Sequence, residues 1–143
     1  MSSESEISLI IYSSNIQFVV DKIQSIENFD GFRLKYVEDE IIVDTYFDNN
    51  EGQLHKKKST LRIRIKNGNV FVTLKGPPTY EVQGVKRQEY EYNWSKDSFY
   101  KIADHLKEFM DFDKNQIDKN FDKDPIKTLE QLGFKEIHKD ILN

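Results

Sequence analysis

The clearest pattern in the chain is strict alternation of apolar and polar residues on both sides of Asn67-Gly68. Leu61-Arg62-Ile63-Arg64-Ile65-Lys66 leads into it, and Asn69-Val70-Phe71-Val72-Thr73-Leu74-Lys75 leads away. A period of two marks a strand with one buried and one open face. Asn-Gly between two such runs predicts a two-residue type I′ hairpin. That turn sets Lys66 opposite Asn69, Arg64 opposite Phe71 and Arg62 opposite Thr73. One face then carries Arg62, Arg64, Thr73 and Lys75. The other carries Leu61, Ile63, Ile65, Val70, Val72 and Leu74, and helices must cover it. Pro77 and Pro78 end the second strand. A flexible loop or lid is expected from Pro77 to Val85, then a strand from Lys86 to Trp94. That strand shows Arg87, Glu89 and Glu91 on one face and Gln88, Tyr90, Tyr92 and Trp94 on the other.

Elsewhere the period is mixed. Glu6 to Tyr12 reads as a strand. A helix follows, capped by Ser14 with Gln17 as capping-box partner, and Ile16, Val19, Val20, Ile23 and Ile26 form its apolar face. Gly31 ends that unit. Phe32–Val37 and Ile41–Phe47 read as strands around the acidic break Glu38-Asp39-Glu40, and the following segment through Leu54 reads as a turn-rich loop. Ser95 caps a second helix with the stripe Phe99, Ile102, Ala103, Leu106 and Phe109. Met110 to Asp124 is polar and suits a loop between short elements. A last short helix takes Asp124 as cap, Pro125 at its first position and Gly133 just past its end, and Phe134–Ile141 closes the chain as a strand. This order predicts a single α+β domain over residues 1–143, with a mainly antiparallel sheet and flanking helices.

Charge sharpens the picture. The 143-residue chain has a formal net charge of -4, yet Leu54 to Lys75 holds seven Lys or Arg residues and no acid. If the charged faces coincide, Arg62, Arg64, Lys75 and Arg87 stand beside Glu89 and Glu91. Guanidinium groups match phosphate oxygens in pairs, and carboxylates take Mg²⁺ or Mn²⁺ together with substrate phosphates. Such a face suits a metal-bridged polyphosphate. The plainer alternative is a solvated face with cross-strand pairs such as Arg64 with Glu89. Lys56, Lys57 and Lys58 read as a solvated loop able to guide anions. His55, His105 and His138 have no metal-ligand spacing. Tyr90, Tyr92 and Trp94 alternate away from the basic face, which argues against a nucleic-acid stacking platform. The chain has no cysteine, so disulfide and thiol chemistry are excluded and a cytoplasmic location is the default. No apolar run approaches the ~20 residues of a membrane span, and the start lacks the basic segment of a signal peptide.

Several segments stand together in a recognisable order: Asp44–Asn49 (DTYFDN), Leu61–Arg64 (LRIR), Thr73–Pro77 (TLKGP), Arg87–Glu91 (an RxExE strand), the helix after Ser95, and Leu132–Lys135 (LGFK). Over about residues 6 to 138 the chain resembles the CYTH, or triphosphate tunnel metalloenzyme, superfamily. The resemblance implies an eight-stranded antiparallel tunnel with polar residues inside, whose members hydrolyse inorganic triphosphate, thiamine triphosphate or RNA 5′-triphosphate, or cyclise ATP. Carried over, Arg62, Arg64, Lys75 and Arg87 hold phosphate. Glu6, Glu89 and Glu91 are the metal-binding and catalytic carboxylates, with Mg²⁺ or Mn²⁺ as cofactor. Of the family's N-terminal ExExK, the segment EISLI keeps Glu6, while Ser8 and Ile10 occupy the other two positions. The strands of the tunnel's second half fall beyond Asn143, so the resemblance implies a partial tunnel or one completed by a homodimer. Three functions remain open: metal-dependent hydrolysis of a triphosphate compound, non-catalytic binding of polyphosphate or nucleotide, and a structural or protein-interaction role. Nucleic acid enters only as an RNA 5′ end, and no membrane is implied.

Overall fold

A computed structural model describes residues 2–6, 12–29, 31–33 and 41–142, with residues 2–6, 29 and 32 as backbone alone. The chain forms two compact units, residues 8–39 and residues 1–7 with 40–143. In the smaller unit, α1 (Ile16–Gln24) is followed by the short strands β2 (Asn28–Phe29) and β3 (Phe32–Arg33). These pair antiparallel, with Gly31 at φ 82° beside the turn. The cap of α1 is Asn15 rather than Ser14. Asn15 Oδ1 accepts from Phe18 N at 3.0 Å, and Gln17 turns along the helix to Asp21 instead of back to the cap. An amide one residue nearer the first helical turn reaches that N–H directly. The expected strand Phe32–Val37 is present as β3, and its residues from 34 onward lie outside the described residues.

The larger unit is a seven-stranded antiparallel sheet flanked by helices. Its strands are β1 (Ser2–Glu6), β4 (Ile42–Asp48), β5 (Thr60–Lys66), β6 (Asn69–Lys75), β7 (Thr79–Glu81), β8 (Gly84–Asn93) and β9 (Lys135–Leu142). The order is β1-β8-β6-β5-β4-β9, with β7 on β8, and the sheet is open at β1 and β9 among the described residues. A strand runs over Ser2–Glu6, so Glu6 of the expected first strand Glu6–Tyr12 is in a strand, and residues 7–11 of it lie outside the described residues. The hairpin forms as expected: Lys66 opposes Asn69, Arg64 opposes Phe71 and Arg62 opposes Thr73. Asn67 and Gly68 sit at φ 51° and 79°, the double left-handed geometry of a type I′ turn. In place of a loop or lid after Pro78, β7 pairs with the start of β8, from Thr79 opposite Lys86 to Glu81 opposite Gly84. The two prolines interrupt the edge of β6, and β7 resumes it.

Two side chains turn the expected turn-rich loop after β4 into the short helix α2 (Gln53–Lys56). Asp48 accepts from the backbone N–H groups of Asn49, Leu54 and His55, and Asn49 accepts from Gln53 N. Across the sheet, α3 (Lys96–Leu106) is capped by Ser95 and lays Phe99, Ile102, Ala103 and Leu106 on Leu61, Ile63, Val72, Leu74 and Tyr90. After a 3₁₀ turn at Lys114–Gln116, α4 (Ile117–Asn120) and α5 (Pro125–Gln131) add buried Ile117 and Leu129. Asp124 caps α5 as expected, and Gly133 follows it at φ 94°. The helices therefore cover one face of the hairpin and leave the other to its charged residues.

Candidate functional site

Cross-strand registers gather the polar residues into rows on the uncovered face. One row runs His138, Tyr46, Arg62, Thr73, Glu91. The next runs Asp140, Asp44, Arg64, Phe71, Asn93. Lys75 stands opposite Glu89, and Arg87 lies two residues before Glu89 on β8. Arg62, Arg64, Lys75, Arg87, Glu89 and Glu91 thus share a face.

Their contacts divide them. Arg64 grips Asp44 through two bonds of 2.8 Å, Nε to Oδ1 and Nη2 to Oδ2. Arg62 lies between acids, with Nη2 3.2 Å from Glu91 Oε2 and Nη1 3.8 Å from Asp44 Oδ2. Thr73 ties the row together: Arg62 Nη2 donates to its hydroxyl at 3.3 Å, and the hydroxyl donates to Glu91 Oε2 at 2.8 Å. Arg62 is only 6% exposed, and among the described residues its Nε finds no acceptor. Asp44 is 1% exposed. Burial pushes its carboxyl up, but the hydrogen bonds from Arg64 and the charges of Arg62, Arg64 and Lys75 outweigh that and hold it below the usual carboxylate range. The same bonds to Asp44 raise the pKa of Arg64 against its partial desolvation.

Arg87 behaves differently. Its Nε donates to Gly76 O at 2.8 Å and its Nη2 to Lys58 O at 3.1 Å. It pins the end of β6 and the lysine loop after α2 to β8. The pair expected between Arg64 and Glu89 is replaced by Arg64 with Asp44, because β4 lies directly beside β5 and sets Asp44 opposite Arg64. Asp44 is the member the sequence reading passed over. Its signal was the Asp44-Thr45-Tyr46 alternation leading into Phe47. Asp48 and Asn49 of the same segment cap α2 and take no part in the face.

On β1, Glu6 stands opposite Val85, and Glu4 stands opposite Arg87. Glu4 was also passed over, and its signal was the Ser-Glu-Ser-Glu alternation of residues 3–6. Two carboxylate-x-carboxylate spacings, Glu4/Glu6 and Glu89/Glu91, therefore lie on adjacent strands, but the register leaves Glu4 two residues and Glu6 four residues short of Glu89, so Glu6 is not brought to Glu91. This all-oxygen donor chemistry suits a hard divalent cation. Among the described residues no three His, Cys, Asp or Glu side chains converge closely enough to hold an ion by themselves, so water and substrate oxygens would complete the shell.

A family model for the CYTH domain matches residues 16–139. The chain belongs to the CYTH domain family. Its sheet of mixed ionic residues backed by helices is a CYTH-type fold, with the sheet open among the described residues. Similar solved structures include a Pyrococcus horikoshii protein, at 28% identity over 71% of this chain and 46% of that one, with a TM-score of 0.42. A candidate adenylate cyclase from Bacillus halodurans matches at 24% identity over 70% and 47%, TM-score 0.36. HpAC1 of Hippeastrum, which has a dominant triphosphatase activity, matches at 16% identity over 87% and 58%, TM-score 0.48. The chain spans about half the length of these proteins. A comparison with curated proteins finds no match. Among the described residues no helix is long and apolar enough to cross a membrane.

Proposed function

We propose that this CYTH domain binds the triphosphate of a small molecule on the uncovered sheet face and hydrolyses it with a divalent cation. The observation that carries the reading is the gathering of Arg62, Arg64 and Lys75 on one sheet face, with Arg62 6% exposed and its Nε without an acceptor among the described residues. Guanidinium and ammonium groups gathered in this way recognise phosphate oxygens. Glu89 and Glu91 would hold Mg²⁺ or Mn²⁺, with Glu4 the nearer of the two β1 glutamates in register. The ion would supply charge neutralisation and an activated water at the phosphoryl group. A homodimer would pair the open edges β1 and β9.

Calorimetry with tripolyphosphate, with and without Mg²⁺ or Mn²⁺, tests the reading. Wild type should bind, and Arg62→Ala should lose most of that binding. Absence of heat from wild type sinks it. A second reading, binding without turnover, is favoured by the engagement of Glu91 with Arg62 and Thr73. Phosphate release at high protein concentration separates the two. A strictly monomeric elution profile in the same buffer would remove the dimer.

A further inference from the structure

His138 lies on the uncovered face but belongs to neither the cationic group nor the carboxylate pairs. It sits on β9 opposite Tyr46, at the head of the row that continues through Arg62, Thr73 and Glu91. Its ring centroid is 6.0 Å from that of Tyr46, and its Nε2 is 2.6 Å from Asp140 Oδ1. Asp140 in turn stands directly opposite Asp44. Two acids facing each other across neighbouring strands repel unless each is compensated. Arg64 and Arg62 compensate Asp44, and His138 is the partner of Asp140.

The groups around His138 are thus Asp140 on its own strand, Tyr46 and Asp44 on β4, and Arg62 and Arg64 one strand further in. Lys139 alternates away from this face and reaches Glu136 at 3.7 Å. A carboxylate on Nε2 fixes the neutral imidazole as the tautomer that donates there, which leaves Nδ1 as a proton acceptor. Among the described residues Nδ1 has no protein partner, and the side chain is 61% exposed. An oriented, accessible imidazole on the rim of a phosphate-binding face is built to take a proton from water.

We propose that His138, held by Asp140, is the proton-handling residue of this site. The inference rests on the triphosphatase reading above. Water loses a proton to His138 Nδ1 as its oxygen bonds to the terminal phosphorus. The bond from that phosphorus to the bridging oxygen breaks, and diphosphate leaves with the electron pair. The imidazolium then returns its proton to solvent or product, so no further reactant is needed. Asp140 acts through His138 and is a positioning residue.

Three measurements test this. In wild type the pH–rate profile should show a rising limb from His138. His138→Gln should lose that limb and about 10²-fold in turnover, with tripolyphosphate binding and the thermal midpoint unchanged. Asp140→Asn should lower kcat and leave KM unchanged, since an amide can donate to Nε2 and so admit the wrong tautomer. Independently of turnover, an NMR titration of the His138 ring should move to higher pH when tripolyphosphate is added without metal, because a nearby anion favours the charged ring. Tripolyphosphate binding with an unmoved His138 titration, binding without turnover, or a wild-type rate and limb in His138→Gln each overturns the role of His138 while the phosphate grip stands. Failure of wild type to bind tripolyphosphate removes the underlying reading and this inference with it.

Discussion

The two faces of the hairpin are made from alternate residues of the same strands, and each has buried residues at its centre, yet burial does opposite work on them. On the helix side, Leu61, Ile63, Val72 and Leu74 are at most 1% exposed and pack on Phe99, Ile102 and Leu106. Each such side chain contributes roughly 1.5–3 kcal/mol by leaving water. On the other side Asp44 and Arg62 are 1% and 6% exposed. Their desolvation largely cancels their mutual attraction, so an ion pair of this kind gives little net stability over apolar residues of the same size. Alternation alone would have allowed hydrophobic residues or simple solvated ones on this side. The difference separates the roles: the apolar face holds the domain together, and the ionic face is held in place by it.

Truncating the apolar face should therefore have the largest effect on folding. Phe99→Ala, which opens a cavity beneath Trp94 and Phe112, should cost about 3–5 kcal/mol in urea unfolding. The comparison breaks if that cost is smaller than the cost of removing a charge. Asp44→Ala comes next, at about 3 kcal/mol, because it strands the Arg64 and Arg62 guanidiniums in a buried site. Replacing the buried group whole tests the other half of the argument. Asp44→Leu combined with Arg62→Met and Arg64→Met should leave stability unchanged or raised and lose tripolyphosphate binding. A large loss of stability in that triple variant would mean that the ionic face is structural.

How much of this was legible in the sequence follows from how local each rule is. The hairpin, its turn and its two faces were all readable, because Asn67-Gly68 fixes the register of every residue pair up to Thr60 opposite Lys75. The caps Ser95 and Asp124 act within three residues of themselves and were readable for the same reason. The partner of Arg64 was not. It depends on β4 lying beside β5, a pairing between residues twenty positions apart whose register no turn sets. The contacts of Arg87 were not legible either, because its acceptors are the backbone carbonyls of Gly76 and Lys58, and no side-chain pattern announces a carbonyl. Nor was the pairing of Ser2–Glu6 with β8 legible, because this segment is polar and short of the apolar residues that mark a strand.

Acid should reveal the ionic face without any truncation. The Asp44 carboxyl is held below the usual carboxylate range in the folded chain, so on acidification the unfolded chain takes up this proton first. Its contribution to stability is complete above the ordinary carboxylate pKa and is lost as pH falls through the depressed folded value. Urea midpoints measured downward from neutral pH should decline in that window, and Asp44→Asn should flatten the decline. An undiminished decline in Asp44→Asn would assign the acid sensitivity to other carboxylates.

The smallest expected effect belongs to Arg87, where the two faces differ least. Its acceptors are neutral carbonyls, so Arg87→Ala should cost about 1–3 kcal/mol, because the carbonyls of Gly76 and Lys58 lose their guanidinium donor. Lys58 sits at φ 53°, a conformation its own side chain disfavours. Without the Arg87 bond, amide hydrogen exchange should accelerate across residues 56–58 and at Gly76 and stay unchanged at Ile63 and Val72 in the core. Arg87→Lys should not restore protection, since one ammonium lacks the fork that bridges two carbonyls in different segments. If Arg87→Ala instead leaves exchange untouched and weakens tripolyphosphate binding, Arg87 belongs with Arg62 as a phosphate ligand, and the lysine loop is held by other means.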